Sequence, residues 1–172
     1  MDFGEYKNEL IKISKTIDAC KEGYAQLIKA ESWFDLCLIV RDSFEWCVDN
    51  KLITPELIKE HWLDCKTANI FCNENVNNGF VIVTSKSEIT ARGHSFVIAL
   101  DDAKVNAFDT TYVIAKGNAE IIANDDVTVK AYDNATVIAY DYSRVHTYGT
   151  NTVTKADESM HINHSEIPSD EE

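Results

Sequence analysis

Three aspartates recur sixteen residues apart, Asp109, Asp125 and Asp141. Stacked at a strand spacing of about 5 Å, their carboxylates could hold a cation or imitate successive phosphates. The plainer expectation is that each caps its own turn. His161 and His164 have the spacing of a metal-ligand pair but sit in an acidic C-terminal stretch. His61, His94 and His146 lie far apart with no partner motif. The five cysteines (Cys20, Cys37, Cys47, Cys65, Cys72) are odd in number and lack C-x-x-C spacing. They read as buried free thiols of a reducing cytoplasm, with a zinc site as the minor alternative. No G-x-S-x-G, P-loop, H-E-x-x-H or dinucleotide fingerprint occurs. These residues therefore predict no enzyme, no cofactor and no metal.

The aspartates belong to a repeat. Residues 77–156 align in eights without insertion, giving ten units from NNGFVIVT to GTNTVTKA. The fifth column is Val or Ile in all ten, from Val81 to Val153, and the seventh is Ala in seven, from Ala91 to Ala139. The third is small. Columns three, five and seven alternate with four, six and eight at the period of a strand. The even columns carry Glu88, Arg92, Lys104, Glu120 and Lys130, so the odd columns face inward. Columns one and two are rich in Asp, Gly and Asn, which tolerate turn geometry. Each unit is a short strand and a tight corner, and such units bury a face only by stacking into a solenoid.

Column four fixes the coil. Phe80, Phe96 and Tyr112 recur every sixteen residues, accompanied by Ile82, Ile98 and Ile114 in column six. A twenty-four-residue period would mix Phe80 with Lys104. The expectation is a two-sided β-solenoid of five coils, about 16 residues each, rising about 24 Å in all. Those six residues form an outward apolar patch on the first three coils, and a patch of that size is normally covered. The chain's own N-terminal region is the expected cover, and a homodimer contact is the alternative. Outward Tyr132, Tyr140 and Tyr148, with Phe108 and Tyr142, are candidates for partner contact together with Asp109, Asp125 and Asp141. Ring stacking along the ladder is their plainer role.

Ahead of the repeat the pattern turns helical. Residues 5–30 carry a heptad stripe from Tyr6 to Leu27, weakened at Gly23. Ser32 and Asp35 predict an N-cap for a second helix with Trp33, Leu36, Val40, Phe44 and Val48 on its buried face. Thr54 and Pro55 start a third, whose apolar face is Leu57, Ile58 and Trp62. The fold class is α+β. The domains expected are a helical bundle or cap over 1–65, a connector over 66–76 in which Ala68 to Cys72 cap the first coil, the solenoid over 77–156, and a disordered acidic tail over 157–172. Polar Thr147, Asn151 and Lys155 blunt the last coil against edge-to-edge stacking.

The net charge is −13, unevenly spread: residues 1–76 hold 14 acids against 9 bases, the repeats 9 against 7, and residues 157–172 hold 6 and none. Net acidity argues against direct nucleic-acid binding, which needs a basic footprint. The first residues, Asp2 and Glu5 among them, form no signal-peptide core, and no apolar run is long enough for a membrane span. A cytoplasmic protein with no membrane contact is expected.

At DNATVIAY and its neighbours the chain resembles bacterial and phage-borne proteins with degenerate DNATVxAY octads. Phe44, Trp46 and the run Thr54, Pro55, Glu56 and Leu57 are similar to the helical module that often precedes such octads. The resemblance covers roughly residues 32–156 and implies a prophage or mobile-element setting. It carries over no functional residues, and the early units with Phe80 and Phe96 depart from it. The reading that follows is a non-catalytic binding protein whose partner is a host defence component that binds nucleic acid. A self-associating scaffold, dimeric through the apolar ladder or heptad stripe, is the alternative.

Overall fold

The computed structural model describes residues 2–17, 20–149, 152–155 and 161–164, with backbone alone for Gly149 and the last two segments. The chain divides into two compact parts, Met1–Ile70 and Phe71–Glu172. The first is helical: α1 (Phe3–Thr16), α2 (Lys21–Lys29), α3 (Trp33–Asp42), α4 (Phe44–Asp49), α5 (Pro55–Glu60) and α6 (Trp62–Thr67). Among the described residues no helix is long and apolar enough to cross a membrane.

Each predicted helix is divided. The stripe over 5–30 breaks between α1 and α2, where Cys20, not Gly23, marks the boundary: its sulfur accepts the Gly23 N–H as an N-cap. Ser43 separates α3 from α4, and His61 separates α5 from α6. The expected starts are in place. Asp2 and Ser32 each form a capping box, with Glu5 and Asp35 respectively. Thr54 caps α5 with Pro55 in its first turn. Trp33 lies between Tyr6 and His61, with ring centroids at 5.1 Å and 3.5 Å, and the Tyr6 hydroxyl donates to the Leu52 carbonyl at 2.7 Å. The break at His61 also rotates α6. Trp62, expected in the buried face, is 56 % exposed with the Lys66 ammonium over its ring, while Cys65 turns inward.

The second part is the β-solenoid. Among the described residues thirteen strands form two sheets, and from β2 to β13 the pairings are parallel. The seven-stranded sheet runs β1 (Ile70–Cys72), β3 (Phe80–Val83), β5 (Phe96–Ala99), β7 (Tyr112–Ala115), β9 (Thr128–Asp133), β11 (Arg144–Gly149) and β13 (His161–His164). The six-stranded sheet runs β2 (Val76–Asn77), β4 (Glu88–Arg92), β6 (Lys104–Ala107), β8 (Glu120–Ala123), β10 (Thr136–Ala139) and β12 (Thr152–Lys155). From β3 to β12 every pairing steps sixteen residues: Val81 faces Val97, Val97 faces Val113, Ile121 faces Val137. The coil is thus two units, as the ladders predict. The third, fifth and seventh columns build one continuous core of Val, Ile and Ala between the sheets, and from Val97 to Val145 its members are at most 1 % exposed.

Two boundaries move. The helices run on to Thr67, past the expected boundary at 65, and β1 begins at Ile70 as an edge strand of the larger sheet, within the Ala68 to Cys72 stretch expected to cap the first coil. The tail expected to be disordered contributes β13. Arg144 pairs with His161 and Val145 with Ile162, a seventeen-residue step. One added residue places Ile162 in the fifth column and adds an eleventh strand of the repeat. Asn151 and the remaining acidic residues of 157–172 lie outside the described residues.

Candidate functional site

The corners explain the aspartates. Column one must turn left-handed, and φ is positive at Asp101, Asp109, Asp125, Asp133 and Asp141 and at Gly93 and Gly117. Asp adopts this region more easily than most side chains, and Gly most easily of all. The turns at the five aspartates close by an N–H of column three donating to the carbonyl of column eight, as Val127 does to Asn124 at 3.3 Å. Column two continues the coil-to-coil ladder, with the Asp126 N–H on the Asp109 carbonyl at 3.0 Å. The column-one N–H is left for a side chain. Gly93 N–H donates to Asp109 Oδ2 at 2.8 Å, Asp109 N–H to Asp125 Oδ2 at 2.9 Å, and Asp125 N–H to Asp141 Oδ2 at 3.2 Å. The aspartates therefore cap not their own turns, as expected, but the turn one coil before. The other corner repeats the device between Gly117 N–H and Asp133 Oδ2 at 2.9 Å. Buried Ser95, Thr111 and Ser143 line the first corner from within, each hydroxyl donating to the carbonyl three residues earlier.

This double role yields a prediction. Asp125→Ala loses the bond to Asp109 and replaces a side chain that tolerates positive φ with one that adopts it less readily, which together should cost about 2 kcal/mol. Asp125→Gly keeps the backbone and should lose about half of that, and Asp125→Asn close to nothing. Chemical denaturation of the solenoid should rank them Asn, Gly, Ala. Equal stability of the Ala and Asn variants would refute the coil-to-coil bond.

The tyrosines separate into two groups. Tyr132 and Tyr148 stack at 4.8 Å with ring planes 12° apart, and Lys116 stands over Tyr132. This is the ladder-steadying role. Tyr140 follows β10 on the other sheet and meets Asp141 and Tyr142 at the aspartate corner. Tyr142 is 65 % and Tyr140 39 % exposed. The structure therefore gathers Tyr140, Asp141 and Tyr142 in one turn, in line with Asp125 and Asp109, and leaves Tyr132 and Tyr148 elsewhere. Phe108 is occupied by the Arg92 guanidinium, 4.2 Å from the ring centre.

The apolar ladder is in register, with Phe80, Phe96 and Tyr112 rings 6.0 Å and 5.1 Å apart. Its isoleucines stand in column six, outside the core between the sheets. Ile82, Ile98 and Ile114 are buried, and only the rings are half-exposed. Three histidines stay apart. His61 stacks on Trp33, the backbone N–H of His94 donates to Asn78, and His146 lies within β11. Among the described residues no three His, Cys, Asp or Glu side chains gather as a metal ion would require. All five cysteines are free, and Cys37 and Cys65 touch at 3.6 Å between sulfurs in the helical interior. No known protein family, curated protein or solved structure matches the chain.

Proposed function

We propose that the protein is a non-catalytic protein-binding module, carried by a phage or other mobile element, that occupies a basic, nucleic-acid-binding host defence protein. The observation that carries this reading is the corner at Tyr140, Asp141 and Tyr142. Two exposed tyrosines flank a carboxylate there, on a backbone held by coil-to-coil bonds. Rigid aromatic residues supply contact area at low entropic cost. Asp109 and Asp125 extend the same edge with negative charge, which suits a basic partner and hastens encounter. The reading assigns the protein no direct nucleic-acid or membrane contact.

The test uses the full chain immobilised against nuclease-treated host lysate, with the captured species identified and its affinity followed against salt. One stoichiometric partner is expected. Tyr142→Ala should weaken its binding about tenfold or more, and added salt should weaken it further. Recovery of the bait alone in that host, or a partner indifferent to Tyr140→Ala and Tyr142→Ala together, overturns the reading.

A second reading, a self-associating scaffold, draws on adjacent Trp62 and Leu63, which are 56 % and 63 % exposed on α6. Light scattering at rising concentration decides it, since a persistent monomer excludes the scaffold.

A further inference from the structure

The helical part holds a cavity of about 270 Å³ among α1, α2, α3 and α4. Leu10, Leu27, Leu36, Val40, Cys47 and Leu52 form its wall, and all six are buried. Trp46, 38 % exposed, stands at its mouth beside Tyr24 and Ser43. No charged side chain lines it. Burial pushes the Cys47 thiol up to about 12, so the wall stays neutral through the physiological range. Protein interiors normally close over a void of this size. Gly23 lines it from within α2, and a β-carbon there would crowd the Cys20 sulfur at 3.2 Å, another lining group. A dry apolar cavity of roughly 150 Å³ in another protein accepts benzene, and this one is larger with similar wall chemistry.

We propose that the cavity is a binding site for a neutral apolar small molecule, one or two rings or an acyl chain of similar bulk, with any polar end at Tyr24 and Ser43. The site is independent of the aspartate corner and rests on different forces. Occupancy should be insensitive to salt, because no charge takes part.

Titration of the full chain with N-phenyl-1-naphthylamine tests this. A saturable fluorescence rise with a single site per chain is expected. Methyl resonances of Leu10, Leu27, Leu36, Val40 and Leu52 should shift, and those of the solenoid should not. Val40→Phe and Leu27→Phe fill the space and should each weaken the probe about tenfold or more, with helical content checked by circular dichroism. Non-saturating binding, shifts confined to other methyls, or unchanged affinity in either folded variant overturns the proposal. If neither variant folds, the methyl shifts of the unmodified protein decide it.

Discussion

Val113→Lys should leave the chain without a folded solenoid. Val113 is wholly buried in β7, and its register partners Val97 and Val129 hold the same column in the coils on either side. An ammonium there would lose its hydration and find only the apolar core around it, a cost of several kcal/mol. Overpacking adds more, since the alanines of column seven leave little room for a longer chain. The position matters as much as the chemistry. In a solenoid each coil is stabilised by its neighbours alone, so failure at the third coil uncouples the first two from the last two. Ile122→Lys is the matched control. Ile122 is 38 % exposed on β8, two residues from Glu120 on the same face, and a lysine there should change stability by under about 1 kcal/mol. Thermal unfolding followed by circular dichroism distinguishes the two. A cooperative β-sheet transition in Val113→Lys near that of the unmodified chain would refute the inward assignment of column five.

The helical part should come apart in alkali while the solenoid persists. Burial pushes the Cys47 thiol from 9.0 up to about 12. Burial, followed by nearby Glu9, pushes the Tyr6 hydroxyl from 10.0 up to about 12. Below pH 9 both folded and unfolded chains keep these protons, and the stabilisation is complete. As pH rises above 9 the unfolded chain releases protons that the folded chain retains, so stability falls until pH reaches about 12. Each group removes at most about 1.4 kcal/mol per pH unit, and the two together approach the whole stability of a small domain. Helical circular dichroism should be lost over this window ahead of the β-sheet signal. Cys47→Val should move the loss to higher pH. Tyr6→Phe gives up the bond to Leu52, worth about 1 kcal/mol, yet should flatten the alkaline slope. An alkaline midpoint unchanged in both variants would mean that other groups set it.

The repeat could be read from the sequence to the level of single columns. The fifth-column Val and Ile, the Ala of column seven and the ladder from Phe80 to Tyr112 depend only on a residue and its neighbours sixteen positions away, and a periodic pattern states that relation directly. Features set by a single local event were harder to read. An added residue before β13 shifted His161–His164 out of the octad frame and made them read as tail. Breaks at Ser43 and His61 depend on one turn each, and the second moved Trp62 from a core position to the surface. The aspartates are corner residues by type, but their bonds run between coils, and a turn considered alone offers no partner except itself. The corner at Tyr140 and Tyr142 was divided in the sequence by mixing two sheets. Tyr132 and Tyr140 share column eight yet lie at different corners. The helical cavity left no signature, because an unfilled space is a property of four packed helices and not of any one of them.

The constant sixteen-residue register also sets how a chain of this kind can change length. Copying or deleting one two-unit segment would add or remove about 4.8 Å of height while returning every later strand to its own sheet and every later corner to its own edge. An eight-residue change would exchange the two edges beyond it, seating residues shaped for one corner on the other. The solenoid can thus be lengthened or shortened in quanta of sixteen residues, and anything presented on its rim, the tyrosine corner included, moves along the axis in the same fixed steps.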